Sequence, residues 1–292
     1  MGLLFTIRNW FKPVANSTLE SAGSPKFSQS EIDAATWFQS QFRDAAEKEL
    51  AGTPFTFPLV LAVAMQETSY LWMRVYKTMS ASEVLAACAG DSLDAPNRSA
   101  FPTDKHDLLS HPMGASMFTI ARNALARTAT IDKGYLGAMK NGDKFCRGYG
   151  IFQYDLQHFK KNPDFFVQQK WDDFSECLRL LKSELQEAHK RAYRPPKPTL
   201  TEREMVYVAI AYNKGRVDTS GDFRQGHKAE GRYYGENIWR FLQLAKLIPA
   251  PAPAEVGQPV APVGTPVQAG VTVAPADTPV LTGAPMSPPL TS

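Results

Sequence analysis

A nearly unbroken apolar run at residues 59–65 constrains the fold of this chain more than any other feature. The run reads Leu-Val-Leu-Ala-Val-Ala-Met, and Pro58 directly before it fits the first position of a helix. A helix that is apolar on every side has to be covered by other elements of the protein. The run therefore predicts a buried central helix inside a body large enough to surround it.

The chain around this run carries the pattern of further helices. Three capping-box spacings mark helix starts: Ser28 with Glu31, Ser80 with Glu83, and Thr199 with Glu202. Apolar periodicity and helix-favouring composition predict helices at residues 32–50, 171–192, 201–212 and 236–247. Strand signals are scarce, so the predicted fold class is all-α. Residues 90–116 and 217–232 are predicted to be loops.

Proline divides the chain into segments. Residues 249–292 hold 11 of the 22 prolines and contain no lysine, arginine or aromatic residue. Such a segment has little to pack and cannot form regular backbone hydrogen bonds, so it is predicted to be a flexible, disordered tail that acts as a spacer. The predicted folded domain is residues 27–248, preceded by an N-terminal segment, residues 1–26, to which no role is assigned.

Composition excludes several classes of protein. The formal net charge is only +3, and no basic stripe stands out, so nucleic-acid binding is not expected. No apolar run approaches the roughly 20 residues of a membrane helix, and the first residues lack the features of a signal peptide. Cys88, Cys146 and Cys177 show neither a disulfide framework nor metal-ligand spacing. We therefore expect no metal and no cofactor.

Glu67 is the first ionisable residue after the apolar run, in the segment Ala64-Met65-Gln66-Glu67-Thr68-Ser69-Tyr70, where we place the end of the buried helix. Burial disfavours the charged form of a carboxyl group and raises its pKa, which suits a general acid near neutral pH. A glutamate at a helix end that reaches water or an arginine is the alternative. This segment by itself favours that alternative.

Four segments in order resemble the motifs of the soluble lytic transglycosylases, relatives of the goose-type lysozymes. They are Glu67-Thr68-Ser69-Tyr70, Gly148-Tyr149-Gly150-Ile151-Phe152-Gln153, Ala211-Tyr212-Asn213-Lys214-Gly215 and Tyr234-Gly235-Glu236-Asn237-Ile238. The family has serine after the glutamate, then Gly-Leu-Met-Gln, Ala-Tyr-Asn-x-Gly, and a tyrosine with Asn-Val three residues on. Thr68, Ile151, Phe152 and Ile238 depart from this pattern, and none of these departures removes a catalytic group. The resemblance implies a lysozyme-like fold.

The resemblance also implies a substrate and a mechanism. Glu67 would protonate the glycosidic oxygen between N-acetylmuramic acid and N-acetylglucosamine in peptidoglycan. It would then act as base on the muramoyl C6 hydroxyl, which leaves a 1,6-anhydromuramoyl end. Tyr234 would help to orient the substrate. The candidate substrate-binding residues are Thr68, Tyr70, Tyr149, Gln153, Tyr212, Asn213 and Tyr234.

The residue types fit a glycan site, although each has a structural alternative. Tyrosines and Phe152 offer faces for sugar rings, and Gln153, Asn213 and Asn237 offer amides for hydroxyl and acetamido groups. The tyrosines also suit an ordinary core. Asn213, next to Gly215, also suits a helix end, and Asn237 is better explained by helix packing.

A goose-type lysozyme would instead hydrolyse the same bond with a second carboxylate that positions water. Asp143 and Asp155 flank the Gly150 to Gln153 turn at spacings similar to that family, so they are the candidates. Asp143 also suits an Asn-Gly-Asp turn, and Asp155 a helix N-cap. We favour the transglycosylase over the lysozyme, and both over a non-catalytic glycan-binding module.

The implied substrate lies in the cell wall, in the periplasm or outside the cell. Without a recognised export signal, we expect delivery by a phage or by a secretion route that needs no such signal. The expected partners are peptidoglycan glycan strands, with delivery machinery or an immunity protein as further possibilities, and the expected state is a monomer.

Overall fold

The structure is a computed structural model, and it describes residues 25–92, 98–229 and 231–249. The described residues are mainly helical, which confirms the predicted all-α class. Ten α-helices occur there: α1 (Gln29–Leu50), α2 (Phe57–Trp72), α3 (Ala81–Ala87), α4 (Lys105–Leu109), α5 (Gly114–Ile131), α6 (Leu136–Lys140), α7 (Pro163–Val167), α8 (Phe174–Ala192), α9 (Glu202–Lys214) and α10 (Tyr234–Ala245).

Helix α2 is the buried centre that the apolar run predicts. All of its residues except Pro58 are buried, and Pro58 lies in its first turn. Helices α1 and α10 pack against α2, while α8 packs against α1 and α9. The helix continues to Trp72, so Glu67 lies within it and not at its end as the sequence suggested. The apolar packing persists past Tyr70 because Leu71 and Trp72 are also fully buried.

Two of the three predicted capping boxes are present and the third is shifted. Ser28 with Glu31 begins α1, and Ser80 with Glu83 begins α3. The box before α9 joins Thr201 with Glu204 instead of Thr199 with Glu202. Both spacings occur in the sequence, and the helix start at Glu202 decides between them.

A small antiparallel sheet lies beside the helices and was not predicted. Its strands are β1 (Ala89–Ser92), β2 (Cys146–Tyr149) and β3 (Tyr154–Asp155), in the order β1-β2-β3. Gly90 pairs with Gly148, which in turn pairs with Asp155. The prediction of one long loop at residues 90–116 is wrong, because this segment includes part of β1, all of α4 and the start of α5.

The second predicted loop, residues 217–232, is tied to the body by several contacts. It includes β4 (Lys228–Ala229) and most of β5 (Arg232–Tyr233), which pair antiparallel. Phe223 is buried in the core, and Tyr207 of α9 donates a hydrogen bond to the Gly221 carbonyl at 2.6 Å. The segment therefore has a defined path over α9 and α10.

The predicted N-terminal segment lies mostly outside the described residues, and the predicted flexible tail lies outside them after Pro249. By its contacts the chain divides between Pro251 and Ala252, close to the predicted boundary after residue 248. None of the helices in the described parts of the chain is long and apolar enough to cross a membrane.

Candidate functional site

Glu67 is the centre of the candidate site. Its side chain lies on α2 with 1% of its surface exposed, and the Tyr234 hydroxyl donates a hydrogen bond to its Oε1 at 2.8 Å. Burial raises the pKa of Glu67 to about 8, although the Tyr234 hydrogen bond opposes the rise, and the charge of Asp91 adds to it. A carboxyl group with this pKa keeps its proton at neutral pH.

Tyr234 is held at the start of α10 by the segment before it. Its backbone N–H donates to the His227 carbonyl at 2.8 Å, and that of Gly235 donates to the Gln225 carbonyl at 3.1 Å. Gly226 has a φ of 87°, and a side-chain carbon there would lie 2.6 Å from the Tyr234 Cβ. Glycine at this position therefore lets the segment pass close enough to fix Tyr234 against Glu67.

The turn from Gly150 to Gln153 is tied to two helices. Thr68 of α2 donates to the Ile151 carbonyl at 2.7 Å, and Tyr212 of α9 donates to the Phe152 carbonyl at 3.0 Å. Three of the four motifs thus meet through side-chain bonds to one backbone turn. Thr68 and Tyr212 use their hydroxyls to hold that turn in this conformation.

Gln153 adopts a strained backbone and has one unsatisfied atom. Its φ of 53° lies in the left-handed region, and its amide Nε2 donates to the carbonyls of Cys88 and Gly150 at 3.2 and 3.0 Å. Its Oε1 is buried and has no hydrogen-bond partner. Gly148 makes room for this group, because a side-chain carbon there would lie 2.3 Å from Oε1.

Asn213 lies in the last turn of α9, and a side-chain carbon at Gly226 would lie close to both its Oδ1 and the Tyr234 Cβ. Its Oδ1 accepts a hydrogen bond from the His227 backbone at 3.1 Å, while its Nδ2 is buried without a partner. Gly215 ends the helix with a φ of 77°, as the helix-end interpretation of this motif predicts. Asn237 is half-buried on α10.

The remaining aromatic candidates pack internally. The hydroxyl oxygens of Tyr70 and Tyr135 lie 2.8 Å apart, and the two rings are nearly parallel. Tyr149 is fully buried, packs on Phe166 and Trp171, and donates to the Cys146 carbonyl at 2.8 Å. Tyr149 therefore serves the core in this conformation.

The two predicted second carboxylates have separate ion pairs and do not contact Glu67. Asp143 is exposed, in the Asn-Gly-Asp turn that was its alternative, and lies 3.0 Å from Lys105. Asp155 is buried, 2.6 Å from Arg98, and its side chain accepts from the Gln157 backbone. That contact makes Asp155 the N-cap of a 3₁₀ helix, Leu156–His158, again as its alternative predicted.

The sequence interpretation missed Asp91, Arg147 and Tyr135. Arg147 Nη2 lies 2.6 Å from Asp91 Oδ2, with both side chains buried, and the Asp91 backbone donates to the Tyr135 hydroxyl. Asp91 falls in the segment predicted to be a loop, where nothing indicates burial. A signal was available at Arg147, a lone charge inside the apolar segment Phe145 to Phe152.

Among the described residues, no group of three histidine, cysteine, aspartate or glutamate side chains is arranged to hold a metal ion. The three cysteines are buried free thiols, and burial raises the pKa of each, so they remain protonated.

No protein-family model matches this chain, and neither a curated protein nor a solved structure matches it. The resemblance to lytic transglycosylases therefore stays a prediction from the four sequence motifs.

Proposed function

We propose that the protein is a lytic transglycosylase with a lysozyme-like fold, which cleaves the bond between N-acetylmuramic acid and N-acetylglucosamine in peptidoglycan. The observation that carries the proposal is the Glu67 carboxyl group, buried in α2, bonded to the Tyr234 hydroxyl and raised in pKa to about 8. A general acid must hold its proton at working pH, and the raised pKa of Glu67 keeps this carboxyl group protonated at neutral pH. The substrate is inferred from the four motifs.

In the proposed reaction, Glu67 donates its proton to the glycosidic oxygen as the bond from that oxygen to C1 of the muramoyl residue breaks. The departing N-acetylglucosamine takes the proton as its hydroxyl group. The Glu67 carboxylate then removes the proton from the muramoyl C6 hydroxyl as this oxygen bonds to C1. Glu67 regains its proton, a 1,6-anhydro ring forms, and no water is consumed. Tyr234 stabilises the carboxylate between the two steps, because its hydroxyl donates to Oε1.

The positions of Asp143 and Asp155 favour this reaction over hydrolysis. A hydrolase that inverts the anomeric carbon needs a second carboxylate to activate water. Asp143 lies at the surface beside Lys105, and the Asp155 carboxylate is bound by Arg98 and by a backbone N–H. A single carboxyl group that serves as acid and then as base does not need either aspartate.

Two unsatisfied amide atoms support a glycan as the ligand. Gln153 Oε1 is a buried acceptor without a donor, and Asn213 Nδ2 is a buried donor without an acceptor. Such groups are costly unless a ligand or water satisfies them, and the acetamido groups of the glycan carry both an N–H and a carbonyl. Because Glu67 is 1% exposed, the proposal requires neighbouring side chains to move when the glycan binds.

Mass spectrometry of the fragments released from purified peptidoglycan tests the proposal. The wild-type chain should release fragments that end in 1,6-anhydromuramic acid, and Glu67→Gln should release none above background. Glu187→Gln is the matched control, because it makes the same change on the exposed face of α8. It should leave the release unchanged.

Other products would redirect the assignment. Reducing muramic acid ends that disappear in the Glu67→Gln variant would mean a lysozyme and would return Asp143 and Asp155 to the site. No cleavage by the wild type would refute the proposal for this substrate. Chitin cleavage and glycan binding without cleavage would then be the alternatives to measure.

A further inference from the structure

No step of the reaction described above is assigned to the buried ion pair between Asp91 and Arg147. Asp91 lies between two residues of β1 that pair with β2, Gly90 and Ser92, so Arg147 is its neighbour across the strands. The two side chains are 5% and 3% exposed, and their closest charged atoms lie 2.6 Å apart. The arginine offsets the cost of burying a carboxylate, so a negative charge can persist inside the protein.

Two tyrosines connect Asp91 to helix α2. The Asp91 backbone N–H donates to the Tyr135 hydroxyl at 3.2 Å, and this hydroxyl lies 2.8 Å from that of Tyr70. Tyr70 follows Glu67 by three residues, so the two side chains lie on neighbouring positions of one helix face. Strand β1 passes close to Tyr70, since a side-chain carbon on Gly90 would lie 2.3 Å from the Tyr70 hydroxyl oxygen. These contacts fix Asp91 relative to the turn that carries Glu67.

The Asp91 backbone also departs from a regular strand. Its φ of 54° lies in the left-handed region, which costs energy for a residue with a side chain. Such strain persists only where the surrounding contacts hold it. Here the ion pair to Arg147 and the backbone bond to Tyr135 are those contacts.

Tyr234 from α10 and Asp91 from β1 shift the pKa of Glu67, and the charge of Glu67 in turn raises the pKa of Tyr212 from α9. Burial raises the pKa of both tyrosines well above their usual range, so they are neutral at neutral pH. Burial also raises the pKa of Asp91, to about 7, although the Arg147 charge opposes the rise. The groups around Asp91 are Arg147, Arg98, Asp155, Tyr135, Tyr70 and Cys146.

On the basis of the proposed function, we propose that Asp91 is a positioning residue of that site, whose negative charge disfavours loss of the proton from Glu67 until the glycosidic oxygen arrives. A nearby negative charge disfavours the ionisation of a second carboxyl group. Arg147 favours the charged form of Asp91, and the Tyr135–Tyr70 contact ties Asp91 to the helix that carries Glu67. Asp91 itself does not touch the substrate.

The direct test is the titration of Glu67 by NMR in the full chain, with glutamate labelled at the side-chain carboxyl carbon. The Glu67→Gln spectrum identifies the signal by its loss. In Asp91→Asn, the midpoint of the Glu67 titration should fall by about half a pH unit to one unit. Asp44→Asn is the matched control, because it makes the same substitution at an exposed position of α1, and it should not move the midpoint.

A second pair of variants keeps the test decisive if Asp91→Asn fails to fold. Arg147→Gln removes the counter-charge, so Asp91 takes up a proton and the Glu67 midpoint should again fall. Arg147→Lys retains the positive charge and should restore the wild-type midpoint. A Glu67 midpoint that stays the same or rises in Asp91→Asn and in Arg147→Gln would overturn the proposal.

Activity provides a separate readout. The pH above which cleavage of peptidoglycan declines should fall in Asp91→Asn by the same amount as the NMR midpoint. A role in structure alone would lower the rate without moving this pH. If the wild type cleaves and neither value moves, only the role of Asp91 is refuted. If the wild type cleaves at no pH, the proposed function fails, and the NMR titration still reports whether Asp91 acts on Glu67.

Discussion

The buried carboxyl group of Glu67 on the helical side of the molecule and those on the sheet side have different partners, although Glu31 of α1 is paired with Arg240 as the sheet-side groups are paired with arginines. On the helical side, Glu67 is bonded to the hydroxyl of Tyr234. On the sheet side, Asp91 and Asp155 each have an arginine nitrogen at 2.6 Å, from Arg147 and Arg98. All three carboxyl groups are almost fully buried, so burial alone does not distinguish them.

The partner determines what each carboxyl group can do. A buried carboxyl without a positive neighbour is held in its neutral form, which stores a proton. A buried carboxyl beside an arginine has a counter-charge in contact, which favours the ionised form and links two parts of the chain. The difference explains why we assign proton transfer to Glu67 and place Asp91 and Asp155 in supporting roles.

The largest expected effect is the pH dependence that Glu67 gives to the unfolding free energy of the protein. The folded-state pKa of about 8 lies above the ordinary glutamate value of 4.5, so the stability from this group is present below pH 4.5 and is lost as the pH rises through 8. Relative to Glu67→Gln, the wild type should lose on the order of 4 kcal/mol of unfolding free energy over that range. Denaturant unfolding at several pH values measures it. A difference that does not vary with pH would contradict a raised pKa.

Arg98→Met should destabilise the sheet side by about 3 kcal/mol at neutral pH, because it leaves the Asp155 carboxylate buried without its counter-charge. Arg98 also donates to the carbonyls of Phe101 and Pro102, which would lose their donor. The double variant Arg98→Met with Asp155→Asn should recover part of the loss. Equal stability of the wild type and Arg98→Met in denaturant unfolding would show that the ion pair between Arg98 and Asp155 does not stabilise the protein.

Gly148→Ala should cost about 2 kcal/mol of unfolding free energy, because the added methyl group would lie 2.3 Å from Gln153 Oε1. The side chain of Gln153 would have to leave its bonds to Cys88 and Gly150. Gly137→Ala is the control, since a side-chain carbon there meets nothing within 4 Å. Thermal unfolding of both variants would show whether the packing around Gln153 is as tight as the distances indicate.

Tyr234→Phe should change the titration of Glu67 in the direction opposite to Asp91→Asn. The hydroxyl lowers the pKa of Glu67 by donating to the carboxylate, so its removal should raise that pKa further. The rate at neutral pH should fall by roughly tenfold, since one hydrogen bond to a charged group is lost, and the decline at high pH should begin later. A pH–rate profile of peptidoglycan cleavage measures both. A profile that shifts to lower pH would conflict with this account.

The smallest effect is expected for Asp143→Asn. This side chain is 78% exposed, and its pair with Lys105 lies at the surface. Its unfolding free energy should stay within about 0.5 kcal/mol of the wild type, because exposed ion pairs contribute little. Loss of cleavage by this variant, with stability unchanged, would restore Asp143 as a second carboxylate and favour the lysozyme.

Helix α5 illustrates a local signal that was present but not recognised. Its buried residues Met117, Ala121, Ala124, Leu125 and Thr128 recur at helical spacing. Strand β1 is different, because its sequence Ala-Gly-Asp-Ser has neither alternation nor β-branched residues. Its pairing with β2 makes it a strand, and no pattern within the four residues predicts that pairing.

Local sequence was sufficient for the helical class, for the buried helix α2 and for two of the capping boxes, whereas for Glu67 the local segment by itself favoured an exposed helix end. These features depend on residues three or four positions apart, which the sequence displays directly. The partners of the buried carboxyl groups depend on tertiary structure. Tyr234 is 167 positions from Glu67, and Arg98 is 57 positions from Asp155. Electrostatic interactions depend on distance in space and on burial, and the packing of helices and strands sets both.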